Sequence, residues 1–143
     1  MIAAGPNDLV EVVNDEIAVF NKSGGVASGP FTLQTWFGRA ATDRVFDPTV
    51  IFRGGRFYVV ALFKNTTTQV SQILLSASRT SNGTGTWCNY TFNGEQATTN
   101  WADFPRIGAT QNRILIATNQ FTWAGDIFQN NFLHELPKAP IDA

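Results

Sequence analysis

Phe46-Asp47-Pro48-Thr49-Val50-Ile51-Phe52-Arg53-Gly54-Gly55-Arg56-Phe57-Tyr58-Val59-Val60-Ala61-Leu62-Phe63 reads as two strands folded on a glycine pair. Thr49 to Arg53 and Arg56 to Phe63 are dominated by β-branched and aromatic residues, which fit a pleated, half-buried surface. Gly54-Gly55 supplies the positive φ that a tight two-residue hairpin demands. No helical stripe competes, because Gly, Thr, Asn and β-branched residues interrupt every window in which a 3.6-residue apolar period could run.

The same arrangement recurs on either side. Leu9 to Val13 and Glu16 to Asn21 flank Asn14-Asp15, and Arg106 to Thr110 and Arg113 to Asn119 flank Gln111-Asn112. Each hairpin begins just after a proline, Pro6, Pro48 or Pro105, at intervals of 42 and 57 residues. The middle unit adds a third strand over Gln69 to Ser78 and a fourth over Thr86 to Asn93. The first adds one near Phe31 to Phe37 through the Gly24-Gly25 turn, and the last adds one near Ile127 to Leu136. A multi-strand unit returning every 40 to 50 residues or so is the spacing of propeller blades. The expectation is one all-β domain over 1–143, a β-propeller segment of about three blades at roughly 4–45, 46–101 and 102–138. A two-sheet β-sandwich is the alternative, since short strands at even spacing suit it as well. Because one blade cannot cover both faces of its own sheet, the chain is expected to associate with copies of itself or to belong to something longer.

Composition narrows the function. Of 143 residues 43% are hydrophobic and 15% charged, with twelve Phe and four Trp against one Met, a profile of packed sheets. The formal charge is −1 and no stretch concentrates either sign, so nucleic acid is not an expected partner. With one Cys and one His, no internal disulfide and no Cys/His zinc cage forms within a chain, and no metal site is expected. Cys88 reads as a small buried hydrophobe on a strand, and His134 as a satisfied or surface residue. No run of 18 apolar residues is present, so no membrane insertion is expected. Met1 to Pro6 lacks a charged leader, and any signal peptide is expected to be removed or never present.

Gly5-Pro6-Asn7-Asp8-Leu9-Val10-Glu11-Val12-Val13-Asn14, Phe46-Asp47-Pro48-Thr49-Val50 and Ala102-Asp103-Phe104-Pro105-Arg106-Ile107-Gly108 resemble, in that order and over roughly residues 4–138, three strand signatures of a family of secreted bacterial repeat proteins with sialidase-like propellers. Thr80-Ser81-Asn82-Gly83-Thr84-Gly85-Thr86-Trp87 resembles the Asp box of such propellers, with Asn82 in the aspartate position and the glycines displaced by one. The resemblance implies a secreted or cell-surface protein. It also implies a turn joining the third and fourth strands of a blade, capped by the Asn82 side chain, with Trp87 packed between sheets.

Two functional classes follow. Asn100-Trp101-Ala102-Asp103 and Gln120-Phe121-Thr122-Trp123-Ala124-Gly125-Asp126 mix Trp with amides and carboxylates, as a glycan pocket needs. A carbohydrate- or protein-recognition module binding through Asn100, Trp101, Asp103, Trp123 and Asp126 is therefore the first expectation. The alternative is a glycoside hydrolase. Phe46 to Ile51 followed by Gly55-Arg56-Phe57-Tyr58 also resembles the first blade of five-bladed arabinanases and xylosidases, and that resemblance implies Asp47 as the base. Asp103, at the equivalent place in the next unit, would be its partner, with Glu95 or Glu135 as the acid. Against catalysis, Asp47 and Asp103 suit a purely structural role, accepting backbone hydrogen bonds beside a proline. Sialidase chemistry would need an arginine cluster and a Tyr/Glu pair that the sequence does not place together. A scaffold without a ligand is the third reading. No cofactor is expected; calcium on the oxygen-rich loop from Asn93, Gly94 and Glu95 to Asp103 is the one candidate, without EF-hand spacing.

Overall fold

The computed structural model describes residues 1–142. They form three antiparallel sheets, none of them closed. The first, in spatial order, is β1 (Ile2–Ala4), β2 (Asp8–Val13), β3 (Glu16–Asn21) and β4 (Val26–Thr32), followed by the helical turn α1 (Leu33–Trp36). The second is β5 (Arg44–Arg53), β6 (Arg56–Asn65), β7 (Val70–Ser78) and β8 (Trp87–Asn93). In the third, β10 (Arg113–Thr122) lies between β9 (Asn100–Ala109) and β11 (Phe128–Pro137), and a last turn, α2 (Ala139–Asp142), ends the described chain.

The three expected hairpins form on the expected two-residue connections: Val13 pairs with Glu16, Arg53 with Arg56, and the Thr110 amide donates to the Arg113 carbonyl at 2.9 Å. What surrounds the prolines differs. Pro48 and Pro105 are buried inside long strands. The ladder passes from Phe46↔Leu62 to Thr49↔Val60, and from Asp103↔Asn119 to Arg106↔Ala117. Asp47-Pro48 thus opposes Ala61 alone, and Phe104-Pro105 opposes Thr118 alone. Each is a β-bulge, where a proline with no N–H to give the ladder is tolerated. Pro6 instead sits in a turn that folds β1 back onto β2, with the Gly5 amide donating to the Asp8 carbonyl at 2.9 Å. A Cβ on Gly5 would come within 2.5 Å of the Phe57 ring.

The first sheet therefore gains its fourth strand before its hairpin, and the second gains it after. The third strand of the first sheet is Val26–Thr32, not 31–37. Leu33 to Trp36 close instead into a single helical turn capped by Thr32, whose Oγ1 accepts from the Thr35 amide at 3.2 Å. Four residues are too few for a helical period to register in sequence.

The sheets stack in chain order. Val10, Val12, Ile17 and Val19 of the first sheet close one core with Phe57, Val59 and Ala61, and Ala102, Ile114 and Ile116 of the third close another with Tyr58, Val60 and Leu62. Alternate residues of β6 thus point into opposite cores. Ile141 of α2 joins the second core, and Asp142 accepts from the Tyr58 hydroxyl at 2.6 Å; burial first, and then that bond, push the phenol well above its ordinary value.

The turn from Thr80 to Thr86 joins β7 to β8. Asn82 Oδ1 accepts from the Thr84 amide at 2.9 Å and the Thr84 hydroxyl at 2.8 Å, so the side chain caps its own loop. Trp87 donates from Nε1 to the Gly83 carbonyl at 2.8 Å and meets Trp36 edge-on at 5.1 Å, against the core between the first two sheets. The Gly83 amide donates to the carboxylate of Asp8 in β2 at 2.8 Å, and a Cβ on Gly83 would lie 3.0 Å from Val19. Cys88 is half-buried on β8 rather than fully buried, because it lies on an edge strand, and its sulfur accepts from Arg79 Nε at 3.1 Å. Asp8→Ala leaves the buried Gly83 amide without its acceptor and is expected to lower the unfolding free energy by about 1–3 kcal/mol. Asp8→Asn, which keeps an acceptor oxygen, should lose less. Urea denaturation of the three proteins checks both.

Candidate functional site

The three sheets converge on one open cavity of about 410 Å³. Asn14 and Asp15 of the β2–β3 turn and Gln34 of α1 form one wall, Arg44 to Asp47 of β5 the floor, and Trp101 and Asp103 of β9 the other wall. Sequence reasoning nominated Asp47, Asp103 and Trp101, and the structure brings all three into this cleft. Arg44, Gln34 and Asn14 were not singled out as site residues. They come from three separate elements, so no spacing announces them.

Asp47 and Asp103 do not hold equivalent places. Asp47 occupies the bulge of β5 with φ +51°, and the residue matching it in β9 is Phe104, also at φ +51°. Asp103 lies one residue earlier, paired with Asn119 as Phe46 is with Leu62. The two carboxyls nevertheless approach each other. Burial first, and then the neighbouring Asp47 charge and a hydrogen bond to the Asp47 carboxyl, raise Asp103 above the usual carboxylate range, while the Phe104 amide and Lys64 pull it back.

Beside this pair stands a caged cation. The Lys64 side chain, 9% exposed, places Nζ 3.0 Å from the Trp101 ring centroid and 5.5 Å from that of Trp123, with Asp126 Oδ1 at 3.5 Å. Burial lowers its pKa, opposed by Asp126 and Asp103. Trp101 Nε1 donates to the same Asp126 oxygen at 3.0 Å, and Phe121 stacks on its ring at 5.3 Å. Trp101, Trp123 and Asp126 are thus brought together around Lys64 of this chain, which carried no motif, and neither Trp123 nor Asp126 lines the cleft. Trp101, 8% exposed, reaches the cleft as part of its wall. Asn100 is buried at the start of β9, where its Oδ1 accepts from the Thr99 hydroxyl at 3.2 Å.

The nominated acids lie elsewhere. Glu135 is exposed on β11 and paired with Arg113 Nε at 2.6 Å. Glu95 follows β8, outside the cleft lining, with one carboxyl oxygen buried and unpartnered and its pKa raised by burial. His134, on β11, meets Phe132 edge-on at 4.6 Å, and burial lowers its pKa. Among the described residues no three Asp, Glu, His or Cys side chains converge as a metal cage. No protein-family model, curated protein or solved structure matches the chain.

The raised pKa of Asp103 has a signed consequence. Between the ordinary and the raised value the folded chain binds more protons than the unfolded one, so stability falls as pH rises through that window. Asp103→Asn is expected to flatten this dependence and to raise the urea midpoint at neutral pH relative to the parent protein. Midpoints measured from pH 3 to pH 8 or so check it, and an unchanged slope counts against the raised Asp103 value.

Proposed function

We propose that the three sheets are successive blades of a β-propeller and that the chain is a recognition module, binding carbohydrate in the Asp47–Asp103 cleft. The observation that carries the binding reading is the make-up of that cavity: the carboxyls of Asp15, Asp47 and Asp103, the Arg44 guanidinium, the Asn14 and Gln34 amides and the rings of Phe46 and Trp101 around about 410 Å³. Carboxylates and amides aimed from several directions match the hydroxyls of a sugar, and a cavity of this size suits a mono- or disaccharide.

The propeller reading is supported by the stacking of consecutive antiparallel meanders face to face, and by β5 lying against both β9 and β2. The self-capped Asn82 turn with its inter-sheet Trp87 agrees with the resemblance to an Asp box. By the same resemblance the protein is secreted or displayed at the cell surface.

The placing of the nominated acids weighs against a glycosidase built on Asp47. Glu95 and Glu135 both lie outside the cleft lining, and Glu135 is paired with Arg113, so no separate acid faces Asp47 across a bound glycosidic oxygen. Arg44 is the one arginine lining the cavity, short of the cluster that sialidase chemistry needs.

A glycan array probed with the parent protein is expected to give a ligand whose affinity falls about tenfold or more in Arg44→Ala and in Asp47→Asn, roughly 1.4 kcal/mol or more of binding free energy. Aryl-glycosides are expected to remain unhydrolysed. An array without signal overturns the recognition reading, and turnover abolished by Asp47→Asn restores the hydrolase.

A further inference from the structure

Sheets one and three each turn their second face away from the molecule, and the two faces differ in charge. On β2 and β3 the buried pair Val10↔Val19 points into the core, so Leu9, Glu11, Val13, Glu16, Ala18 and Phe20 point outward. Glu11, Val13, Glu16, Phe20 and Val26 border a groove of about 260 Å³ on that side. Neither glutamate has an ion-pair partner among the described residues.

On the third sheet Ile114 and Ile116 are fully buried, so Leu115 and Ala117 face outward, and the register sets Arg106 and Leu133 beside Ala117. Leu133 is 58% exposed. Arg106 lies over the Phe104 ring at 3.8 Å and has no carboxylate partner among the described residues. The outer face of the first sheet thus carries two glutamates without an ion-pair partner among the described residues, and that of the third carries Arg106, without a carboxylate partner among them, beside the mutually paired Arg113 and Glu135.

We infer that these two faces are complementary halves of one interface, and that the occupant of each is a second copy of this chain. The third sheet of one copy lies on the first sheet of the next, with Arg106 set against Glu11 and Glu16, and Leu115 and Leu133 against Val13 and Phe20. Within the chain, sheet two already covers sheet one, and sheet three covers sheet two, by the same face-to-face packing. A further copy continues that stack. Unlike faces meeting head to tail form a ring if the rotation closes and a filament if it does not. The inference deepens the propeller reading and rests on it, but it is independent of what the cleft binds.

Light scattering after gel filtration, without any ligand, tests it. The parent protein is expected to give an integral multiple of the chain mass at micromolar concentration. Glu11→Arg and Arg106→Glu should each drop the particle to one chain, and the double variant should restore the multimer. Arg106 borders a smaller cavity next to the cleft, so Leu133→Glu, on β11, is the second disrupting variant. Hydrogen exchange of the parent protein should slow at β2, β3, β10 and β11 as concentration rises, a readout that needs no variant to fold. A parent protein that stays a single chain overturns the inference, and so does a multimer indifferent to all three substitutions. If that single chain still binds glycan through Arg44, the interface alone fails and the cleft reading stands.

Discussion

Strand β6 has no face turned to water: from Phe57 to Leu62 every side chain is fully buried, odd residues in one core and even residues in the other. Each large apolar side chain so placed contributes on the order of 1.5–3 kcal/mol, and none of it is realised unless a sheet lies on both sides. The order of the stack follows from that requirement. Sheet two cannot be an outer layer, and sheets one and three must flank it, which sets β5 against both β2 and β9 and opens the cleft between them.

Within that frame the two bulges decide where the carboxyls go. A bulge adds one residue to one strand, bends it and re-aims its side chains. In β5 the aspartate itself takes the bulge position, and in β9 a phenylalanine does, with the aspartate just before it. Holding Asp47 and Phe104 in the left-handed region costs about 1–2 kcal/mol each. Proline accompanies both because a ladder position that loses its hydrogen bond suits a residue without an N–H. Asp47 and Asp103 reach the same cleft through different offsets from similar distortions.

Anchor and cleft occupy opposite ends of β2. Asp8 opens the strand and binds Gly83 of the capped turn, while Asn14, just past the other end, lines the cavity; at about 3.3 Å per residue roughly 20 Å separates them. The Asp8–Gly83 bond and the Trp36–Trp87 contact hold sheet one to sheet two without consuming any polar group of the cleft. Lys64 has the corresponding task on the other side, bringing the end of β6 to Trp101, Trp123 and Asp126 of sheet three.

Resemblance to an Asp box implied the capped turn around Asn82, while local chemistry in the sequence determined the all-β class and the three hairpins with their two-residue connections, because β-branched runs and turn residues act within a few residues of themselves. It also nominated Asp47, Asp103 and Trp101. Tertiary structure alone decided that the prolines at 48 and 105 are bulges while Pro6 is a turn, that residues 33–36 coil once, and that Lys64 fills the space between two tryptophans. It alone brought Arg44, Gln34 and Asn14 to the same cavity. Strand pairing and sheet stacking join residues dozens of positions apart, and the burial that selects one register over another is a property of the assembled layers and not of any single segment.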